Sequence, residues 1–155
     1  MKTFKQLVAE VEPLIQELMP WDLEELQQQS EAMLLVDIRE PAEFTAMHIQ
    51  NSINVPRGIL ESACDYDYSE TEPVLASARD QKIILICRSG NRSALAAHTL
   101  QLMGYKDVSS LKTGLRGWND YEQALIDSEG NAVNIDDADD FLSPPVREEQ
   151  RQPKD

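Results

Sequence analysis

The segment Ile86–Ser93, read as ICRSGNRS, combines a nucleophile with groups that attract anions. Cys87 is followed within six residues by two arginines, two serines and a glycine. A turn of this composition can point successive backbone amides inward, and the arginines add full positive charge. Both favour the thiolate, which is the nucleophilic form of cysteine. The segment therefore predicts that Cys87 is a nucleophile in a cradle for an anionic group.

The residues on either side of this segment predict how it is positioned. The run Lys82–Ile86 is apolar and β-branched, as in a strand covered on both faces. Ser93 to Met103 is rich in helix-forming residues and is followed by Gly104, a common helix terminator. Cys87 therefore lies between a strand and a helix N-terminus, which is where open α/β sheets bind their ligands.

Two reaction classes suit this arrangement, attack on phosphorus and attack on a sulfane sulfur. The usual phosphate-binding loop has five residues between cysteine and arginine, whereas only Arg88–Asn91 separate Cys87 from Arg92. One position further on stands Ser93, which cannot supply the guanidinium fork that clamps a phosphate. The shorter loop favours sulfur chemistry.

Further strands are predicted at Met33–Ile38, Ile53–Pro56 and Val108–Leu111, with helices between and after them. Residues 57–80 are polar and acidic and predict a loop or partial helix. Strands that alternate with helices indicate an α/β fold with a mostly parallel sheet.

The two ends of the chain differ from this middle part. Residues 1–20 carry a helical stripe of apolar residues interrupted by Pro13, which predicts a helical extension with a kink. Residues 21–127 then form the α/β domain. Residues 128–155 are acidic, contain prolines and hold few apolar residues, so we expect a disordered tail.

Composition excludes several classes of partner. The chain has 155 residues and a formal net charge of -14, which disfavours binding to nucleic acid or to anionic membranes. The first residues lack the apolar core of a secretory signal, so we expect a cytoplasmic protein. Two cysteines without a C-x-x-C pattern and two histidines predict neither a disulfide framework nor a metal site. The chemistry outlined above needs no cofactor.

Three ordered blocks of this sequence resemble the rhodanese-like family of sulfurtransferases. CRSGNRS resembles the family's active-site loop, and LKTGLRGW (residues 111–118) resembles its closing block. LLVDIREPAEFTAMHIQNSINVP (residues 34–56) resembles its first block. The matching positions of the first block are Asp37, Arg39, Glu43, His48, Ile49, Asn54 and Pro56. Met47 and Asn51 stand where the family often has glycine.

The resemblance implies a three-layer sandwich in which a mostly parallel five-stranded sheet is flanked by helices. It also implies that a donor passes sulfur to Cys87, and that an acceptor removes the sulfur from the resulting persulfide. The residues that would form the substrate cradle by position are Arg88, Ser89, Gly90, Asn91, Arg92 and Ser93. Arg88 and Arg92 would also attract anionic donors such as thiosulfate.

Two residues outside these blocks have open roles. Arg57 follows the second predicted strand, where its side chain either lines the substrate mouth or is solvated. Cys64 lies in the polar region and is expected to be an unpartnered surface thiol, rather than a residue that resolves a persulfide or forms a disulfide with Cys87.

Other residues of the blocks have structural interpretations. We expect His48 to form a hydrogen bond across a turn, and Asp37 and Arg39 to form an ion pair that fixes a loop. Trp118 is expected to pack beneath the closing loop.

The sequence thus predicts a sulfurtransferase that acts through a Cys87 persulfide. The partners expected are a small anionic sulfur donor, a thiol or cyanide acceptor and a sulfur-accepting protein. A protein-to-protein sulfur carrier or sensing module is the alternative. A phosphatase or arsenate reductase is disfavoured by loop length, and a non-catalytic binding module would not need the cysteine.

Overall fold

The computed structural model describes residues 1–154, and five strands form one sheet within them. The strands are Gln16–Leu18 (β1), Leu34–Asp37 (β2), Ile53–Asn54 (β3), Lys82–Ile86 (β4) and Asp107–Leu111 (β5). Their order across the sheet is β1-β5-β4-β2-β3, and every pairing is parallel. All carboxyl ends therefore meet at one side of the sheet, which we call the carboxyl edge; the opposite side is the amino edge.

Helices cover both faces of this sheet. The α-helices are Phe4–Val11 (α1), Pro20–Gln28 (α2), Pro41–Ala46 (α3), Leu60–Ala63 (α4), Pro73–Ala76 (α5), Asn91–Leu102 (α6), Gly114–Asp120 (α7) and Ile135–Leu142 (α8). Short 3₁₀ turns lie at Glu12–Leu14, Arg57–Ile59 and Glu148–Gln150. No helix within residues 1–154 combines the length and the apolar character needed to cross a membrane.

The alternation of side chains along β4 divides the core into two layers. Ile83, Leu85 and Cys87 point into a cluster that includes Ala97 and Leu100 of α6. Ile84 and Ile86 point to the other face, into a cluster with residues of α2, α7 and α8. A strand buried on both faces needs this continuous apolar sequence. The predicted three-layer α/β sandwich with a five-stranded sheet is confirmed.

The prediction of a helical extension over residues 1–20 is wrong for residues 16–18, which form the strand β1. The cap of α1 forms as a capping box between Thr3 and Gln6, but the helix ends at Val11, before Pro13. Leu18 then pairs with Leu111 of β5, which makes β1 the edge strand of the sheet. Apolar spacing alone favoured a helix here, and pairing with a distant strand overrides such local preferences.

A second correction concerns the tail, where disorder was expected from residue 128. Residues 135–142 form α8, whose N-cap Asn134 accepts hydrogen bonds from the backbone of Asp136 and Asp137. Ala138 and Leu142 lie four residues apart on one face and are buried in the same cluster as α7. Few apolar residues are enough to dock a helix when they share one face.

Candidate active site

Cys87 lies at the carboxyl edge, directly after β4 and between the ends of β2 and β5. The backbone then turns at Gly90, whose φ of +91° is left-handed, and enters α6 at Asn91. Glycine adopts this conformation without strain. The sequence thus folds the segment as predicted, with the cysteine between a strand and a helix N-terminus.

Hydrogen-bond donors converge on the Cys87 sulfur. The backbone amides of Gly90 and Ser93 donate to Sγ over 3.1 and 3.3 Å. The Ser93 hydroxyl lies 3.3 Å from the same sulfur. The whole residue is only 1% exposed. Because charge-assisted hydrogen bonds are stronger than neutral ones, this arrangement favours an anionic sulfur.

The closing block, residues 111–118, is hydrogen-bonded to the backbone of the cysteine loop. The amides at the start of α7 donate to the loop, from Leu115 to the Cys87 carbonyl and from Arg116 to the Arg88 carbonyl, both over 3.0 Å. Gly114 permits this close approach, because a Cβ at that position would lie 2.5 Å from the Cys87 carbonyl oxygen. The two blocks that the sequence singled out are thus one packed unit.

Arg92 does not point freely into the site. Its guanidinium donates two hydrogen bonds of 2.9 Å to the Glu43 carboxylate of α3. This pairing lowers the pKa of Glu43 and raises that of Arg92. Arg92 therefore joins α6 to α3, and the attraction of anions rests less on it than the sequence suggested.

Two other arginines of this region are not neutralised. Within residues 1–154, Arg88 and Arg116 are the arginines that form no ion pair. Arg88 is half-buried and Arg116 is exposed, and their backbones are joined by the hydrogen bond described above. Two arginines without an ion-pair partner thus belong to the segments that form the carboxyl edge of a strongly acidic protein.

The remaining predicted cradle residues differ in exposure. Ser89 is half-buried, Gly90 is buried and Asn91 is exposed at the start of α6. Arg57 lies after β3, where it forms an ion pair of 2.5 Å with Glu61 and a long hydrogen bond to Thr99. The sulfur is thus contacted by Gly90 and Ser93, while Arg57 is bound by Glu61 of α4.

The first block is fixed by a buried ion pair, as expected. The Arg39 guanidinium donates to both carboxylate oxygens of Asp37, and both side chains are fully buried. Arg39 also donates to the Met47 carbonyl over 2.6 Å. Asn54 donates to the carbonyls of Asp37 and Arg39, which holds the turn after β2.

The structure reveals one residue of the site that the sequence did not indicate. Ser110 on β5 is fully buried, and its hydroxyl oxygen lies 2.7 Å from that of Ser93. Serine in a strand carries no obvious signal, although a polar residue at a buried strand position needs a partner.

Cys64 is not the surface thiol that was expected. It is fully buried, and burial raises the pKa of its thiol. Its carbonyl accepts a hydrogen bond from Arg79, which precedes β4, so Cys64 lies toward the amino edge. A polar sequence around a residue thus does not exclude its burial when short helices fold over it.

Comparison with known proteins identifies the family. A sequence profile described as the Rhodanese-like domain matches residues 20–121. The chain belongs to the rhodanese-like family. A mitochondrial protein of Schizosaccharomyces pombe, provisionally named thiosulfate sulfurtransferase, is 33% identical over 90 residues, which are 56% of this chain and 63% of that protein. A Bacillus subtilis protein, provisionally named sulfur carrier protein YrkF, is 31% identical over 88 residues, covering 57% and 42%.

A solved structure agrees with this fold over most of the chain. It is a Rhodopseudomonas palustris protein of unknown function, suggested to be a tyrosine phosphatase, with a TM-score of 0.72 and 31% identity. The match covers 79% of this chain and 93% of that one. The chain spans less than two thirds of the length of the two curated relatives named above.

Two structural residues of this rhodanese-like domain occupy their expected places. His48 Nδ1 lies 2.9 Å from the Phe44 carbonyl, and the backbone of His48 pairs with Ile126. Trp118 is buried beneath the closing block, and its indole N–H donates to the Ala124 carbonyl.

The domain also has a cavity away from Cys87. It has a volume of about 460 Å³ and is bordered by Met33, Leu35 and Trp118, among others. Met33 directly precedes β2 and Leu35 is the second residue of this strand, which places the cavity toward the amino edge. A search for the functional site by cavity shape alone would therefore lead away from Cys87.

Proposed function

We propose that this domain is a sulfurtransferase in which Cys87 carries the sulfur. The Cys87 thiolate attacks the outer sulfur of thiosulfate, the bond between the two donor sulfurs breaks, and sulfite leaves with its electron pair. Cys87 then holds a persulfide. A thiol or cyanide acceptor attacks the terminal sulfur, and the bond to Cys87 breaks to return the thiolate.

One observation carries this proposal, the convergence of two backbone amides and one hydroxyl on Sγ of Cys87. Donors fixed before the reaction stabilise negative charge on sulfur without further reorganisation. The unpaired guanidinium groups of Arg88 and Arg116 support an anionic donor. Family membership and the name of the Schizosaccharomyces pombe relative agree with this chemistry.

The phosphatase alternative, which the suggested activity of the Rhodopseudomonas palustris protein brings forward, fits these residues less well. Phosphoryl transfer needs a guanidinium that embraces the phosphate oxygens. Arg92, the arginine that ends the loop, instead donates from both terminal guanidinium nitrogens to the Glu43 carboxylate.

Intact mass spectrometry after incubation with thiosulfate tests the proposal. The wild type should gain the mass of one sulfur atom, and Cys87→Ser should gain none. Cys64→Ser is the matched control and should still gain it. Sulfur mapped to Cys64, or hydrolysis of an aryl phosphate faster than sulfur transfer, would contradict the assignment.

A sulfur carrier that serves a protein acceptor is the second candidate, and the resemblance to YrkF supports it. It uses the same persulfide but differs in the second step. Under this alternative the persulfide is stable to cyanide and low-molecular-weight thiols and is discharged only by a protein thiol. Timed discharge of the isolated persulfide by cyanide and by glutathione distinguishes the two.

A further inference from the structure

Three side chains form a line behind the reactive sulfur. Sγ of Cys87 lies 3.3 Å from Oγ of Ser93, and this oxygen lies 2.7 Å from Oγ of Ser110. Both serines are fully buried. Ser93 belongs to α6 and Ser110 to β5, so the line crosses from the loop into the sheet.

The hydroxyl protons of Ser93 and Ser110 are donated to different acceptors when Cys87 is a thiolate and when it is a thiol. A hydroxyl donates one hydrogen bond and accepts up to two. With a thiolate, the Ser110 proton goes to Ser93 and the Ser93 proton goes to the sulfur, so that both have acceptors. A thiol sulfur either accepts from Ser93 more weakly than a thiolate does, or donates to Ser93, which then donates to Ser110. In the second case the Ser110 proton turns away from Ser93, the side chain with which it forms its hydrogen bond within residues 1–154.

A buried donor without an acceptor is costly, because it has lost its hydrogen bonds to water. We propose that Ser110 is a positioning residue that holds the Ser93 proton on the sulfur and so stabilises the Cys87 thiolate. This inference rests on the proposed function, in which the thiolate takes up sulfur and leaves again when the acceptor is attacked. Ser110 never touches the substrate and acts through Ser93.

Charged residues lie on the elements around the cysteine loop, and none of them is altered by changing Ser110. They are Arg88 in the loop, Arg92 on α6, Arg116 on α7, Asp37 on β2 and Glu43 on α3. A change in the pH dependence of Cys87 after substitution of Ser110 therefore reports on the hydroxyl.

The test is the rate of Cys87 alkylation by iodoacetamide as a function of pH, followed by mass on the peptide that carries Cys87. The loss of one hydrogen bond predicts that Ser110→Ala reacts about three- to tenfold more slowly on the acidic side of the curve. Its midpoint should move to higher pH while the plateau at high pH stays the same. Ser110→Thr keeps the hydroxyl and should behave as the wild type.

Ser109→Ala is the matched control, because Ser109 is the neighbouring buried serine on β5 and contacts Gln16 rather than the site. It should leave the curve in place. An equal loss of rate at every pH in Ser110→Ala, or the same shift in Ser109→Ala, would overturn the inference. Alkylation needs no sulfur donor, so a wild type that shows the expected curves yet takes up no sulfur contradicts the proposed function alone.

Discussion

Cys87 and Cys64 are buried to the same degree, 1% and 0% exposed, at opposite edges of one sheet. Around Cys87 two backbone N–H groups donate to the sulfur, and the Ser93 hydroxyl oxygen lies 3.3 Å from it. Around Cys64 desolvation dominates and raises the pKa of the thiol, while the nearby Tyr105 hydroxyl donates to the Leu75 carbonyl over 2.6 Å. Equal burial therefore accompanies two different electrostatic environments, and we expect the donors at the carboxyl edge to make Cys87 the reactive thiol.

The largest expected difference between the edges is in alkylation. At neutral pH we expect Cys87 to react with iodoacetamide about tenfold or more faster than Cys64, because two backbone amides donate to the Cys87 sulfur, whereas burial raises the pKa of the Cys64 thiol. The rate at Cys64 should keep rising above the ordinary thiol range, since its pKa is raised. Peptide mapping over time measures both rates. Equal rates would break the comparison.

Substitution of two glycines tests how tightly the backbone is packed at each edge of the sheet. Gly114→Ala should reduce sulfur transfer about a hundredfold, because its Cβ would lie 2.5 Å from the Cys87 carbonyl oxygen and displace the loop. Gly104→Ala is the matched control near the amino edge. Its φ of +90° is also left-handed, but no atom lies within 4 Å of the added Cβ. It should lower stability by about 1–2 kcal/mol and leave transfer intact. Transfer assays alongside melting curves separate the two effects.

Substitution in α8 tests whether the packing of α7, which supports the carboxyl edge, contributes to stability through residues of α8. Leu142→Ala should lower the free energy of unfolding by about 2–4 kcal/mol, as for other fully buried leucines. Removal of residues 144–155, beyond α8, should change it by less than about 0.5 kcal/mol. Urea unfolding measures both. A stability unchanged in Leu142→Ala would show that α8 does not dock in solution.

A smaller effect is expected from the charges at the mouth. Arg88→Gln should raise the KM for thiosulfate about two- to fivefold at low salt with little change in kcat, as for a partly exposed ion contact. Arg57→Gln is the comparison, because Arg57 is already paired with Glu61. Its KM should stay within error of the wild type. An equal rise in both variants would place Arg57 in the mouth as well.

The smallest effect concerns acid stability. The lowered pKa of Glu43 means that its pairing with Arg92 contributes fully above the ordinary carboxyl value of 4.5 and is lost as the pH falls through the lowered value. Glu43→Gln should therefore lose less stability than the wild type between pH 6 and pH 3, by about 1 kcal/mol or less. Melting temperatures over this range measure the difference. Parallel curves would show that the pair adds nothing.

The sequence predicted the strands that matter most to the site. Lys82–Ile86 is continuous and apolar because it is buried on both faces, and such a pattern is hard to mistake. The position of Cys87 followed from it. The role of Ser110 did not, because nothing in VSSL tells which serine faces α6.

The failures share one physical cause, which is that tertiary contacts reverse local signals. Cys64 lies in a polar stretch but is covered by residues distant in the chain, and β1 forms only because β5 lies beside it. The fold also determines which charged side chains pair with each other. Neither the spacing of Glu43 nor that of Arg92 shows that the two side chains meet.

The strand order has a consequence for how the chain folds. Gln16 of β1 and Ser109 of β5, which pair in the sheet, are 93 residues apart. Contacts of such long range slow folding, because the loop between them must be closed first. At translation rates of about 5–20 residues per second, β1 leaves the ribosome roughly 5–20 seconds before its partner exists. Its polar residues Gln16 and Glu17 suit this interval, since charged and polar short strands resist pairing with the wrong neighbour.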